Sequence, residues 1–218
     1  MESLGSDNTG ETDLLLQQAA ARDTAGLGAL LTRHQERLRR MVALRLDQRL
    51  QGRLDVSDVI QDAFLEATAR LDEYLKQPTM PFFLWLRLLT AQKVALLHRH
   101  HLGAEMRDAG REVSLYHGAL PGASSAALAA QLLGHDPRPS EAAVRAERKV
   151  RLQEALNLMD PLDREVLALR HFEQLSNTEA AQVLGIKEAA ASKRYVRAIK
   201  KLKDILTSLP GGWEESGR

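Results

Sequence analysis

The sequence contains no cysteine, so it can form neither disulfides nor thiolate metal sites, and it offers no cysteine nucleophile. Aromatic residues make up only 4% of the chain, so a core has to be built mainly from Leu, Ala and Val, a mixture that favours helices. No apolar run approaches the roughly 18 residues that a membrane span requires. These absences favour a helical protein of a reducing compartment, and we expect it in the cytoplasm without a membrane partner.

The chain also lacks a strong charge of either sign and a period-two alternation typical of strands. Its 30 basic and 29 acidic residues leave a net charge of +1. Because non-specific DNA affinity grows with the number of phosphates neutralised, so neutral a chain is expected to bind DNA weakly by itself. A Gly-rich phosphate loop, a Ser-His-Asp order and a metal motif are all missing, so we predict neither an enzyme nor a cofactor.

The most informative segment is residues 176–203, which predicts a short helix, a tight turn and a longer basic helix. Ser176 and Glu179 form an S-x-x-E capping box at the start of the first helix. Gly185 suits the left-handed turn that ends it. The second helix begins near Lys187 and repeats apolar residues at helical spacing, namely Ala191, Tyr195, Ala198, Leu202 and Ile205. Such a helix-turn-helix can insert its second helix into the major groove of DNA.

Positive charge is concentrated on this second helix. Residues 186–204 include seven basic and two acidic side chains, a local net charge of +5. A basic helix face is often only a solvated surface. Its combination with the capping box and the Leu-Gly turn favours contact with DNA.

The whole chain divides into two helical blocks. We predict a disordered tail over 1–13, a helical block over 14–101, a linker over 102–139, a second block over 140–209 and a tail over 210–218. Half of the 38 linker residues are Ala, Gly, Ser or Pro, although residues 124–133 have the composition of a short helix. Asp13 is the predicted cap of the first helix, and Asp160-Pro161 predicts a helix start in the second block.

Three motifs, in this order, resemble those of bacterial RNA polymerase sigma factors of the extracytoplasmic-function (ECF) type. They are DVIQDAF at 58–64, FFLWLRLLTAQKVALLHRH at 82–100, and the segment 156–202 that contains the helix-turn-helix. The resemblance covers residues 14–206. It implies an all-α protein with one domain like sigma region 2 and one like sigma region 4. It also implies binding to core RNA polymerase and initiation directed by −10 and −35 promoter elements.

Four residues of the first motif region are spaced to share one helix face, namely Asp58, Gln61, Asp62 and Leu65. Ile60, Phe64 and Leu71 would then face the core. The resemblance implies that the polar face binds the coiled-coil clamp of the large polymerase subunit. Without the resemblance, the same face would be interpreted as a solvated acidic surface.

The resemblance further implies that the melted −10 strand is read by the loop before the second motif and by the helix that follows. The candidates are Lys76, Gln77, Thr79, Gln92 and Arg99. Phe82 and Phe83 could stack on unpaired bases, whereas the helical spacing of Trp85 with Leu88 and Leu89 favours a core position.

His98, His100 and His101 form a cluster within the same helix. His98 and His101 are one turn apart, but only Glu105 is available as a nearby third ligand, so we predict no metal site and a position near DNA phosphates instead.

For the duplex −35 element, the resemblance implies reading by the basic helix that starts near Lys187. We predict Glu188, Ala190 and Lys193 near base edges, and Arg194, Arg197 and Lys200 on phosphates. The chain departs from the family where Lys187 replaces the usual Ser or Thr cap and where Ala191 and Tyr195 replace Val and Leu. These changes leave the docking angle of the helix open.

Three functions therefore compete. The leading one is a promoter-specificity factor whose partners are core RNA polymerase, duplex and melted promoter DNA, and an anti-sigma protein. The first alternative is a helix-turn-helix repressor or activator that is not a polymerase subunit, in which DVIQDAF would have no purpose. The second is an enzyme using the His98–His101 region, which no motif supports.

Overall fold

The computed structural model describes residues 6–47, 50, 54–102, 122–134 and 142–208. These residues contain nine α-helices and no strand. The helices are α1 (Ser6–Ala20), α2 (Thr24–Arg45), α3 (Val56–Lys76), α4 (Phe82–Leu102), α5 (Ser125–Leu132), α6 (Ala142–Asn157), α7 (Pro161–Leu167), α8 (Asn177–Leu184) and α9 (Glu188–Ser208). They belong to two units, Met1–Leu120 and Pro121–Arg218. The predicted all-α fold with two helical units is confirmed.

In the first unit, α2 is the central helix and packs against α1, α3 and α4. Its apolar side chains are fully buried together with those of α3 and α4; they include Leu30, Leu38, Met41, Ile60, Leu86 and Leu89. The helices α1 and α2 approach closely at Gly26, where an added Cβ would lie 2.6 Å from the Cβ of Gln18. Only glycine therefore fits this contact without a shift of one helix.

The first helix differs from the prediction. It begins at Ser6, inside the stretch 1–13 for which we predicted a tail, and Asp13 lies within it, so the prediction that Asp13 caps it was wrong. An ion pair from Glu11 to Arg33 of α2 supports this polar end. Asp23 caps the following helix instead, because its carboxylate accepts a bond from the Ala25 N–H.

The second unit follows the local signals of the sequence closely. Asp160 accepts bonds from the N–H groups of Leu162 and Asp163, and Pro161 is the first residue of α7. The capping box of Ser176 and Glu179 is formed in both directions, and Gly185 ends α8 at φ 62°, in the left-handed region. The patterns did not predict the π-helical turn Ala168–Phe172 that continues α7.

The helix expected within residues 124–133 is present as α5, and it packs against α6 of the second unit. Leu128 and Ala129 are fully buried. Glu165 accepts a bond from the Ala123 N–H at 3.2 Å, and Arg164 donates to the Ser125 hydroxyl at 3.2 Å. Part of the segment predicted as linker is thus attached to the second unit, whereas the domain boundaries stay a prediction. Other parts of the predicted tails and linker lie outside the described residues, namely 1–5, 103–121, 135–141 and 209–218.

Candidate functional site

The outer face of α3 carries the four residues predicted to bind polymerase. Asp58, Gln61, Asp62 and Leu65 are all exposed, and the Leu65 side chain is 65% exposed although it is apolar. Ile60, Ala63 and Leu71 occupy the buried side of the same helix, whereas Phe64 is half-buried. The structure therefore brings the predicted set together as one acidic face with an apolar residue in it.

A neighbouring ion pair fixes the edge of this face. Glu66 accepts a hydrogen bond from Lys93 of α4 at 2.8 Å and from Arg70 at 3.3 Å. These bonds, that from Lys93 above all, hold the pKa of Glu66 below its usual value. The Glu66–Lys93 pair therefore links α3 to α4 beside the α3 face.

The loop between α3 and α4 presents three predicted −10 residues, since Lys76, Gln77 and Thr79 are exposed. The Tyr74 hydroxyl donates to the Met80 carbonyl oxygen at 2.9 Å, and the Tyr74 ring stacks on Trp85 with centroids 4.6 Å apart. Burial, followed by the charge of Asp13, raises the pKa of Tyr74. Met80, near the end of the loop, is therefore bonded to Tyr74, which is part of the buried aromatic cluster.

The aromatic residues at the start of α4 belong to this core. Trp85 is 8% exposed, which confirms the predicted core position. Phe82 and Phe83 are only 3% and 4% exposed, so the prediction that they stack on unpaired bases was wrong for this conformation. The reason is tertiary: Phe82 lies against Tyr74 and Trp85, and the guanidinium of Arg37 lies 3.5 Å from the centre of the Phe83 ring.

His34 of α2 is buried under the same aromatic residues. Its ring lies 5.8 Å from Phe82 and 5.2 Å from Phe83, and its Nε2 has no hydrogen-bond partner. Burial, with smaller contributions from Arg37 and Arg33, lowers the pKa of His34 from 6.5 to about 4. The imidazole is therefore neutral near pH 7.

The other two predicted −10 residues, Gln92 and Arg99, are exposed on α4 and lie two turns apart. At 1.5 Å per residue, Gln92 is about 15 Å along the helix from Phe82, and Arg99 is about 10 Å further. The predicted set thus extends from the loop along much of α4 instead of forming one cluster.

The predicted histidine cluster separates into different environments. His98 is buried, and its Nε2 accepts a bond from the Asp47 N–H at 3.3 Å, whereas His100 is exposed. The side chain of His101 lies outside the described residues. The prediction that His98 lies near phosphates was wrong, because it serves to hold the end of α2 against α4. Within the described ranges, no three His, Asp or Glu side chains are grouped to hold a metal ion.

The basic helix α9 starts as predicted. The Lys187 carbonyl accepts bonds from the N–H groups of Ala190 and Ala191, so Lys187 is the last residue before the helix. Asn177 of α8 donates to the Glu188 carbonyl oxygen at 3.0 Å, which joins the two helices at the turn. Ala191 and Ala198 are fully buried and Tyr195 is half-buried, so the Ala191 and Tyr195 replacements still give a docked helix.

The predicted −35 residues fall into two groups. Exposed side chains extend from the start of α9 along its outer face; they are Lys187, Glu188, Ala190, Lys193 and Lys200. Arg194, which is 26% exposed, and Arg197, which is 62% exposed, contact the buried Asp163 of α7. The pairing of Asp163 was not predicted, because the sequence shows an acid in the first turn of α7 but not the α9 side chains that lie against it.

The comparisons with known proteins agree with this architecture. A family profile described as "Sigma-70, region 4" matches residues 149–202. The RNA polymerase sigma factor CnrH of Cupriavidus metallidurans is 30% identical over 195 residues, which cover 88% of this chain and 93% of CnrH. The ECF RNA polymerase sigma factor SigD of Mycobacterium tuberculosis is 28% identical over 196 residues, which cover 90% of this chain and 84% of SigD.

Similarity extends to a solved structure, that of CnrH in complex with the cytosolic domain of CnrY. It matches with a TM-score of 0.52 and 26% identity, covering 90% of this chain and 97% of the matched chain. In the ranges that the structure describes, none of the helices is both long enough and apolar enough to cross a membrane.

Proposed function

The chain belongs to the RNA polymerase sigma factors of the ECF type, which direct core polymerase to promoters. We propose which of its residues bind core polymerase and which bind the −10 and −35 promoter elements. The acidic α3 face of Asp58, Gln61, Asp62 and Leu65 binds the coiled-coil clamp of the large subunit. The support is that all four side chains are exposed on one side of α3, opposite the side that is buried in the core.

The −35 duplex is bound by α9. The observation that carries this proposal is the capping-box helix-turn-helix, whose second helix has its apolar residues buried and its outer side basic and exposed. Lys187, Glu188, Ala190 and Lys193 meet base edges near the start of the helix. Lys200 lies further along and meets a phosphate, as do Arg194 and Arg197 to the extent that Asp163 leaves them available.

The melted −10 strand is bound by the loop with Lys76, Gln77 and Thr79 and by Gln92 and Arg99 on α4. The support is their exposure along one helix and the loop that precedes it. Phe82 and Phe83 are buried and cannot stack on the unpaired bases. Recognition of the melted strand therefore depends on polar contacts and on charge.

The decisive experiment is transcription in vitro with purified core polymerase and a promoter library. We expect initiation that depends on this chain and on both promoter elements. A helix-turn-helix regulator that is not a polymerase subunit would bind duplex DNA alone and would not co-purify with core polymerase. Binding to duplex DNA without co-purification with core polymerase would therefore contradict the proposed polymerase and promoter contacts.

We further propose that the chain acts in the cytoplasm, has no catalytic activity of its own, and is held by a protein partner of the anti-sigma class. The supports are the sigma-factor relatives and the complex in which CnrH was solved. Co-expression with a candidate partner should abolish chain-dependent transcription without degrading the chain.

A further inference from the structure

The carboxylate of Asp163 joins the start of α7 to the middle of α9. Its side chain is only 4% exposed, and its Oδ1 accepts a bond from Arg194 at 2.7 Å and lies 3.4 Å from a guanidinium nitrogen of Arg197. Asp160, the cap of α7, lies 3.8 Å from the same Arg194 nitrogen. One buried acid thus engages two basic residues of the helix that carries the −35 candidates.

A buried carboxylate is stable only when it is paired and hydrogen-bonded, so these contacts constrain the rotation of α9 about its axis. Arg194 lies between the fully buried Ala191 and Ala198, three and four residues away, and therefore on the inward side of the helix. With that side fixed, the opposite side carries Lys193 and Lys200 outward. The ion pair also withdraws positive charge from the DNA-facing surface, because Arg194 is only 26% exposed.

We propose that Asp163 is a positioning residue for −35 recognition. It sets the angle at which α9 presents Glu188, Ala190 and Lys193 to base edges, and it limits how far Arg194 can bind a phosphate. This inference rests on the proposed function of α9 as the −35 reader. Asp163, although it is acidic and lies outside the helix-turn-helix, would therefore affect the preference for −35 sequences.

The test uses holoenzyme assembled from core polymerase and the full chain, with binding measured on a −35 library at several salt concentrations. Asp163→Asn keeps the shape of the side chain and removes its charge. We expect discrimination between the best and the poor −35 sequences to fall by about fivefold, the contribution of one weak base contact. We also expect a steeper salt dependence by about one phosphate contact, because Arg194 is released.

Glu154→Gln is the matched control, since it removes one exposed carboxylate of the same unit from a helix other than α7 and α9. It should retain wild-type preference. If folded Asp163→Asn keeps the wild-type preference, or weakens all sequences by one factor with an unchanged salt slope, the proposal is wrong and Asp163 is merely structural.

If Asp163→Asn does not fold, Arg194→Lys decides, because lysine keeps the charge and loses the guanidinium geometry. Relaxed −35 preference in this variant supports the proposal, and unchanged preference overturns it. A wild-type holoenzyme without any −35 preference would instead refute the proposed function of α9, and the role of Asp163 with it.

Discussion

Lys193 and Arg194 are neighbours in the chain with opposite surroundings. Lys193 is exposed on the outer side of α9, whereas Arg194 is turned towards the buried Asp163. Sequence pattern treats both as basic residues of one recognition helix. At the scale of single residues, function therefore depends on which way each side chain is turned, and the two should respond differently to substitution.

Substitution of Lys193 tests the base-reading role. Lys193→Ala should relax preference at one or two −35 positions and cost about 1–3 kcal/mol at the cognate sequence if Lys193 reads a guanine. Lys200→Ala is the comparison: it should weaken all sequences alike and reduce the salt slope by about one. Binding of holoenzyme to a −35 library separates the two, and an exchange of the two phenotypes would mean that α9 is rotated from its proposed pose.

His34 makes the first unit sensitive to acid. Its pKa of about 4 in the folded chain lies below the unfolded value of 6.5, so the unfolded chain binds a proton that the folded chain rejects. Stability is therefore complete above pH 6.5 and declines as the pH falls towards 4. Between pH 7 and pH 5, the free energy of unfolding should decrease by up to about 2 kcal/mol from this group.

Urea unfolding of the chain at the two pH values measures this loss. His34→Phe should remove most of it, because the ring that takes up the proton is then absent. Equal pH dependence in wild type and His34→Phe would show that other groups cause the acid sensitivity.

At the scale of elements, α3 separates its two tasks by face. The buried side is built from Ile60, Ala63, Ala67 and Leu71, and the exposed side carries the proposed polymerase contacts. Asp58→Arg with Asp62→Arg should abolish co-purification with core polymerase while helicity is retained, because neither side chain is packed. The matched control is Asp72→Arg with Glu73→Arg, the same charge change on exposed residues about 15 Å further along α3. Normal binding of the first variant to core would contradict the assignment.

The loop after α3 offers a second element-scale prediction. Triple substitution of Lys76, Gln77 and Thr79 by Ala should change −10 preference or open-complex formation, because these exposed side chains are free to contact the melted strand. Core binding should be unaffected, since the α3 face is intact. The measurement is a −10 promoter-library profile, and a profile identical to that of wild type would mean that the loop does not read the strand.

At the scale of the whole molecule, the position of α5 decides where the second unit begins. α5 is attached to that unit by the burial of Leu128, by the bond that Glu165 accepts from the Ala123 N–H, and by the bond that Arg164 donates to the Ser125 hydroxyl. A fully buried leucine side chain contributes about 1.5–3 kcal/mol, which opposes the local unfolding that cleavage requires. Limited proteolysis should therefore leave a C-terminal fragment that retains residues 123–132, although linker composition extends to 139. Leu128→Ala is expected to shift cleavage towards residue 140. Early accumulation of a wild-type fragment starting near residue 140 would contradict the attachment of α5.

The sequence by itself determined where α7 and α8 begin and where α8 ends, because an Asp-Pro start, a capping box and a Leu-Gly turn act through bonds within a few residues. Helical spacing likewise predicted the exposed α3 face and the core position of Trp85. The family resemblance was carried by three motifs in order along the chain, at 58–64, 82–100 and 156–202, so it could be stated before the fold was known.

Only the tertiary structure decided which side chains remain available at the site. Three features depend on how separate helices and loops pack together: the burial of Phe82, Phe83 and His98, the pairing of Asp163 with Arg194, and the docking of α5. A pattern along one helix gives the direction of a side chain but not the partner opposite to it. The free energy of burying a charge or a ring depends on that partner. The partner therefore decides whether a side chain stays available to DNA or stabilises the fold.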